Sequence, residues 1–523
     1  MNRVLVERNR YFDSVFLMRI SRDLEQLPGV HQATVAMGTP ANLANLEKAG
    51  FVTTQAIDSS ESFAARESSQ TIHANDLVIA IDGESEDSVA AAEEALERLL
   101  AGTETAAGAA GDTPQAESIG EALRIDPDIN LAVVSVPGAY AAREARRALR
   151  RGLHVMLFSD NVSVEDEIAL KDEAIERGLL MMGPDCGTAI LNGTPLGFAN
   201  VCRRGAIGIV GASGTGIQEI SSLVHRMGGG ISQAIGTGGR DLSADVGGAM
   251  SRFGIEALAQ DPETEVIVVV SKAPAASVVP ELLETLAAAG KPSVVQFVGF
   301  DPDKADPGWL DGQARFAVTL EQATSFACEE AGYDPEVPQT LPIDPPTVDG
   351  NILGLYCGGT LCQEAWAQLS RAGLDVVSNV AFDPSKKVHP EMETTGHALW
   401  DLGDDVFTVG RPHPMIEPAL RDERVVKAGE DPRVGLALVD CVLGYGAHPD
   451  PAASLADAAK RAISAARSDG RTLYIVASVT GTDLDPQNAT EQRATLEQAG
   501  ITVAGSNADA VRIAARYVQG ARA

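Results

Sequence analysis

With 523 residues, 45% of them apolar and 22% charged, the chain is long enough for three or four domains and too long for a single core. Its 73 acidic residues against 41 basic ones leave a formal charge of −32, which repels nucleic acid and anionic membrane surfaces, so neither is expected as a partner. The opening MNRVLVERNRYFDSVFLMRI lacks an apolar core with a small-residue cleavage site, no run of about 18 apolar residues occurs, and the six cysteines form no CxxC pair. A reduced cytoplasmic protein without signal peptide, membrane span, disulfide framework or structural metal is expected.

Residues 1–100 read as a small N-terminal α/β domain: an extended start, a helix from about Asp13 to Leu27, a strand HQATVAMG, a short helix ANLANLEKAG, a strand NDLVIAID and a helix SVAAAEEALERLL. AGTETAAGAAGDTPQAES has no apolar periodicity, so residues 101–126 are expected to be linker. From 127 to 200 the strands NLAVVSV, HVMLFS and LLMMG alternate with the helices AYAAREARRALRRG and SVEDEIALKDEAIERG, a pattern that implies right-handed crossovers and a parallel sheet. Ligands are expected at strand carboxyl ends, here PGAY and GPDC. That position singles out Asp185 and Cys186 as substrate-binding, although both also suit plain turn chemistry.

The segment AIGIVGASGTGIQEISSLVHRMG is an apolar strand, a glycine turn and a helix start. The first helical N–H groups have no partners in the helix and the macrodipole places roughly half a positive charge there, so a phosphate is the expected ligand. A tight connection is the plain alternative, because the glycines match neither the P-loop nor the dinucleotide fingerprint. Beyond a proline-rich linker at 333–349, NILGLYCGGTLCQEAWAQLSRAG repeats the layout, with Gly214, Thr215, Gln218 and Glu219 corresponding to Gly359, Thr360, Gln363 and Glu364. IGTGGRDL pairs with TVGRPHPM, DPETEVIVVVS with DPRVGLALVDC, and PSVVQFV with TLYIVAS. Residues 201–332 and 350–523 are therefore expected to be duplicated domains.

Two such helix starts converging on one phosphoryl group define the expected site. Main-chain N–H groups at Ser213, Gly214, Thr215, Gly216, Gly358, Gly359 and Thr360 would hold the phosphate, with the Ser213 and Thr215 hydroxyls beside them. Arg240 and Arg411, in matched loops, either clamp phosphate or a substrate carboxylate or pair with neighbouring acids, and Asp241 is taken as substrate-binding next to Arg240. His413 either polarises a carbonyl and moves a proton or hydrogen-bonds backbone. Glu219 and Glu364 either bind an amide N–H or simply suit a first helical turn. Cys357 and Cys362 flank a glycine turn and are expected to be the more accessible thiols; His389 and His397, eight apart, form only a weak metal pair, so no metal is expected.

LAVVSVPGAY, MMGPDCGTAI, GIVGASGTGIQE, IGTGGRD and DPETEVIVVVS resemble, in order and spacing, the α subunit of succinyl-CoA synthetase. Residues 350–520 resemble the carboxy-terminal domain of its β subunit, and YFDSVFLMRISRDLEQLPGV, TVAMGTPANLANLEKAG and DPQNATEQRATLEQAGI are similar to stretches of the FdrA branch of that superfamily. The resemblance implies a multi-domain α/β fold: a small N-terminal domain, a Rossmann-like CoA-binding-type domain and two flavodoxin-like ligase domains. It implies two phosphate-holding helices, beginning at Ser213 and Gly358, and places Glu219 where the ligase glutamate orients a phosphorylated histidine.

That histidine belongs to a GHAG loop expected after KPSVVQFVGF, where this chain has DPDKADPGWLDG, and no histidine occurs between His225 and His389. A covalent relay has no acceptor there. The nucleotide-grasping region of the ligase β subunit has no counterpart, nor does the GSQGT-type turn that precedes NLAVVSV in CoA-binding relatives. FdrA-type proteins are associated with a multi-subunit oxamate carbamoyltransferase. The resemblance thus implies that phosphate arrives on a small substrate, carbamoyl phosphate, and that the carbamoyl group passes between phosphate and a small amide acid such as oxamate, with partner subunits and no required cofactor. The alternatives are an NDP-forming acyl-CoA ligase subunit that binds CoA, and a non-catalytic anion-sensing scaffold.

Overall fold

The computed structural model describes residues 2–520 except 9, 11, 13, 26, 40–41, 44–45, 48–49, 53–56, 59–71, 74–75, 110–115, 311, 313, 334–349, 390–394 and 409–411. The chain divides into two compact units, Met1–Gln115 with Thr408–Pro412, and Ala116–Phe407 with His413–Ala523.

In the first unit, strand β1 (Asn2–Glu7) leads to a helix, Ser14–Glu25, then to β2 (Val30–Met37), β3 (Ile57–Asp58), β4 (Leu77–Gly83) and a helix, Glu86–Ala109. The sheet order is β2-β4-β1-β3, with β4 antiparallel to β1 and β2 and β3 parallel to β1. Period-two alternation in VHQATVAM turns Ala33, Val35 and Met37 inward, where they meet Leu17, Ile20 and Leu24, spaced for one helical face, and Ile79, Ile81 and Leu96. The last helix continues through residues 101–109, which the composition marks as linker. Alanine and glutamate sustain a helix once Val89, Ala92, Leu96 and Leu100 anchor it. Ile119–Ile125, also within the expected linker, is a helix capped by the Ser118 hydroxyl on the Glu121 N–H. The short helix expected at ANLANLEKAG lies largely, and the proline-rich linker almost wholly, outside the described residues.

The second unit opens with that capped helix, Ile119–Ile125, and three parallel strands, β5 (Leu131–Val134), β6 (His154–Leu157) and β7 (Met181–Met182), joined by helices Gly138–Leu149 and Val164–Glu176. A hairpin follows, β8 (Thr188–Leu191) and β9 (Thr194–Gly197), turning on Asn192 and Gly193 at φ 50° and 81°. The Asn-Gly pair supplies the two positive φ angles such a turn needs.

A first lobe then carries β10 (Arg204–Ala212), helix Gly214–Arg226, β11 (Ile231–Gly236), β12 (Val266–Ser271), β13 (Ser293–Phe297) and β14 (Ala314–Ala317), in the order β14-β13-β12-β10-β11-β8-β9. The second lobe carries β15 (Asn351–Tyr356), helix Gly359–Arg371, β16 (Val376–Ser378), β17 (His397–Asp401), β18 (Val434–Val442), β19 (Tyr474–Thr480) and β20 (Thr502–Ala504), in the order β16-β17-β15-β18-β19-β20. Removing the hairpin and β16 leaves one five-strand parallel order in both lobes, the expected duplication.

One pairing differs from expectation. β11 lies beside β10 and its equivalent β17 lies beside β15, so the turn matching IGTGGRD begins at Asp401 and not at TVGRPHPM. The intervening β16 pushes the equivalent strand later in the chain. A single apolar core runs through both lobes, with Ile217, Ile220 and Val224 from the first cradle helix and Leu361, Ala365 and Trp366 from the second. Each of the isoleucine, valine and leucine side chains contributes about 1.5–3 kcal/mol on burial, so the two helices are held together by core packing.

Candidate functional site

The two helix starts meet. Ser213 Oγ lies 2.6 Å from Thr360 Oγ1, across 147 residues of chain, and both hydroxyls are buried. A Cβ on Gly358 would lie 3.0 Å from the Thr215 methyl, so the tips touch on a second side. Each helix follows the carboxyl end of its lobe's central strand, and the shared core brings the two ends together.

Capping differs between the tips. Ser213 caps its own helix, its hydroxyl accepting the Gly216 N–H at 3.0 Å. Gly358 has no side chain to offer, and Asp440, reaching over from β18, accepts the Cys357 and Gly358 N–H groups at 2.7 Å each. The Gly216 and Gly358 amides are thus already taken, which corrects their assignment as phosphate donors. Gly214, Thr215, Gly359, Thr360 and Leu361 keep amides without a partner among the described residues. Gly214 and Gly359, at matching positions, are the partly open points of the two tips.

Around the first tip lies a shallow crevice lined by Asp185, Thr188, Ser213, Gly214 and the Gly238–Gly239 turn. Asp185, held at φ 55°, is open to solvent but set into this concave wall, and that crowding raises its carboxyl pKa while Lys272 opposes the rise. Asp401 stands at the second tip. Its Oδ1 accepts the Gly403 N–H at 2.9 Å, and a Cβ on Gly359 would lie 2.5 Å from its Oδ2, so only glycine leaves room for the carboxylate. Burial pushes Asp401 up to about 7, against the opposing pull of Lys272.

Lys272 follows β12, directly beyond the Ser271–Ala212 pairing, so it sits at the strand ends beside the first tip. It is exposed, makes no ion pair among the described residues, and acts electrostatically on the carboxylates at both tips. Neither Asp401 nor Lys272 is singled out by the sequence; their common signal is position at the carboxyl end of a strand flanking a cradle strand.

His413 lies beside the second tip: a Cβ on Gly403 would lie 2.5 Å from its Nε2, and its ring packs 5.9 Å from that of Phe198. Burial lowers its pKa to about 4, so the ring is neutral at pH 7. Its Nδ1 accepts the Met415 N–H at 3.2 Å, which leaves the proton on Nε2. In that tautomer Nε2 is a hydrogen-bond donor and not a nucleophile.

Several expected site residues serve the fold instead. Arg240 pairs with Glu167 at 2.8 Å and donates to the Val162 carbonyl. Asp241 is wholly buried, accepting from Lys171 and from the Ser251 amide and hydroxyl, so it is closed to substrate. With Glu167, these groups lock the IGTGGRD loop to helix Val164–Glu176, whose Lys171 lies 2.7 Å from both Glu167 and Asp241. Cys186 is buried under the crevice, its thiol pushed up to about 12.

Glu219 accepts from the Thr480 hydroxyl at 2.6 Å and the Asn507 N–H at 3.0 Å, and Glu364 accepts from Leu320 N–H and Asn507 Nδ2, both at 2.7 Å. Each glutamate thus caps a helix start deep in the unit, Asn507–Gly520 and Leu320–Glu330, and does not face the tips. Cys357 and Cys362 are buried, His397 Nδ1 accepts the Ile352 N–H, and Arg411 lies outside the described residues.

Two flavodoxin-like lobes whose helix starts meet tip to tip define the succinyl-CoA synthetase-like class. Residues 355–517 match the family described as CoA-ligase, residues 203–299 the CoA binding domain, and residues 1–116 the AllF, heavy metal-associated domain. Escherichia coli (strain K12) protein YahF is 41% identical over 526 aligned residues, covering 99% of this chain and 98% of that one. Succinate--CoA ligase [ADP-forming] subunit alpha 2 of Archaeoglobus fulgidus is 31% identical over 164 residues, 30% of this chain and 55% of the ligase subunit. The chain therefore spans about half the length of that subunit. The crystal structure of PH0766 from Pyrococcus horikoshii shares 16% identity over 78% of this chain and 87% of that one, at a TM-score of 0.35. The chain belongs to the FdrA-type family of succinyl-CoA synthetase-like proteins.

The heavy-metal description of the N-terminal unit does not fit its residues. No cysteine precedes Cys186, so no thiolate is available to a soft metal. The loop after β1 instead holds Arg8, paired with Asp76, and Arg10, stacked 5.3 Å over Phe12. No helix among the described residues is long and apolar enough to cross a membrane.

Proposed function

We propose that this chain is a subunit of a carbamoyltransferase that passes a carbamoyl group between phosphate and a small amide acid such as oxamate, in the cytoplasm and with partner subunits. The observation that carries it is the meeting of two helix starts with open amides at Gly214, Thr215, Gly359, Thr360 and Leu361. Each helix end favours an anion by roughly 0.3–1 kcal/mol when exposed and up to ~2 when partly buried. The Asp440 carboxylate already occupies part of the second end, so the first tip and Lys272 carry most of the anion's charge.

The phosphate of carbamoyl phosphate would rest on these amides. His413 Nε2–H would donate to the carbamoyl oxygen and stabilise the charge that grows there as the tetrahedral intermediate forms. Lys272 would draw the carboxylate of the amide acid towards the same mouth. CoA is not needed for any of these steps. The second reading, an acyl-CoA ligase subunit, is favoured by the match of residues 203–299 to a CoA binding domain and by the ligase relatives.

The test mixes the chain and the products of its genomic neighbours with carbamoyl phosphate and oxamate, then with ATP, CoA and succinate, and follows phosphate release. Oxamate-dependent release supports the carbamoyl reading. CoA-dependent turnover, or none with oxamate, overturns it.

A further inference from the structure

Of the carboxylates Asp185 and Asp401 at the tips, Asp185 is exposed and Asp401 is buried. It is 7% exposed, its Oδ1 is held by the Gly403 amide, and its Oδ2 has no hydrogen-bond partner among the described residues. That oxygen lies against the Gly359 α-carbon, beside the open amides of the second helix start. Two glycines, Gly359 and Gly403, leave the space it occupies; a Cβ on Gly403 would strike His413 Nε2 at 2.5 Å and Asp401 Oδ1 at 3.2 Å. The Asn379 side chain holds the strand end, accepting the Asp401 N–H and donating to the Asp401 carbonyl, both at 3.0 Å. The Gly403 amide fixes one carboxylate oxygen and Asn379 fixes the main chain, which leaves the other oxygen against Gly359 at the tip.

We infer that Asp401 is the proton-transfer residue of this site, giving a proton to the departing amide nitrogen in phosphorolysis and taking it back in carbamoylation. The inference rests on the carbamoyltransferase reading. In phosphorolysis an oxygen of hydrogen phosphate forms a bond to the carbamoyl carbon, the C–N bond breaks with its electron pair on nitrogen, and that nitrogen takes the Asp401 proton. The carbamoyl hydrogen phosphate then returns its own proton to Asp401, so the net transfer is from phosphate to the released amide. An amide anion is too basic to leave unprotonated, which is why an acid is required at this place.

The groups that set its charge come from every neighbouring element: Lys272 after β12, Asp404 in its own turn, Asp440 on β18, the Cys362 thiol on the cradle helix, and the neutral His413. Burial holds the carboxyl near neutrality, and a bound phosphate, being an anion, shifts it further towards the protonated form.

The test uses the full-length chain with its partner subunits. Asp401→Asn is expected to lower turnover by about 10²-fold or more while inorganic phosphate binds within about threefold of the parent, and to abolish the inflection near pH 7 in the rate profile of the carbamoylation direction, where free phosphate is not a reactant. An Asp401→Asn protein with turnover within about fivefold, or with the inflection intact, overturns the inference and leaves the carbamoyl reading standing. Independently of turnover, ¹³C-aspartate spectra of the full chain are expected to show one carboxyl, missing from Asp401→Asn, that titrates near neutrality and moves upward when inorganic phosphate is added. That response without any carbamoyl transfer supports Asp401 as the group facing phosphate and sinks the carbamoyl reading. Titration below pH 5, or no response to phosphate, overturns the assignment of Asp401.

Discussion

Removing the Ser213 hydroxyl should loosen both helix starts, although only one of them contains the change. The hydroxyl caps the Gly216 N–H at 3.0 Å and meets the Thr360 hydroxyl at 2.6 Å. Loss of an N-cap costs about 1 kcal/mol, and a buried hydrogen bond with its orphaned partner about 1–2 more. Ser213→Ala should therefore speed amide exchange in the peptide around Gly216 by one to two orders of magnitude, since 1.4 kcal/mol is about tenfold where exchange follows local opening. The peptide spanning Cys357–Cys362 should speed up by about fivefold, corresponding to about 1 kcal/mol across the hydroxyl pair.

Hydrogen exchange read by mass spectrometry separates the two tips and does not require the multi-unit chain to unfold in one step. Thr360→Val, which keeps the shape and removes the hydroxyl, should act on the second tip and add little to Ser213→Ala there. An unchanged second tip in Ser213→Ala would refute the tip-to-tip geometry on which the functional reading depends.

Lys272→Ala should weaken inorganic phosphate binding by about tenfold in calorimetry at low salt and much less at high salt, because the lysine is exposed and screened. Since Lys272 lowers the Asp185 and Asp401 carboxyl pKa values, the same change should move the pH inflection of turnover upward. Burial raises Glu364 from an ordinary 4.5 to about 7, so the folded protein binds the extra proton in that window and stability falls as pH rises through it. The contribution is up to about 3 kcal/mol; thermal melting of Glu364→Gln should vary less between pH 5 and 8 than the parent. Lys171→Met leaves Glu167 and Asp241 buried without their shared cation, and thermal melting should show a loss of about 3–5 kcal/mol.

The two GTxxQE helix starts, the duplication and the alternation of strands and helices were legible because each is a local pattern of glycines and apolar spacing. The Asn-Gly hairpin and the Ser118 cap are equally local signals. Pairing TVGRPHPM with IGTGGRDL failed for a different reason: similarity in glycine and arginine content does not report which strand lies beside β15, and hydrogen-bond pairing chose β17.

Chain order alone determined that two amide-lined ends exist in this protein and which residues open them. Only the tertiary structure decided that they meet, that Asp440 from β18 already fills part of one, and that Asp401 and Lys272 stand beside them. It also decided that Arg240, Asp241, Glu219 and Cys186 serve the scaffold. The physical reason is that a charged side chain's role depends on which partners burial brings within hydrogen-bond reach. In a parallel sheet those partners come from strands separated by long crossovers, a distance that spacing along the chain does not encode.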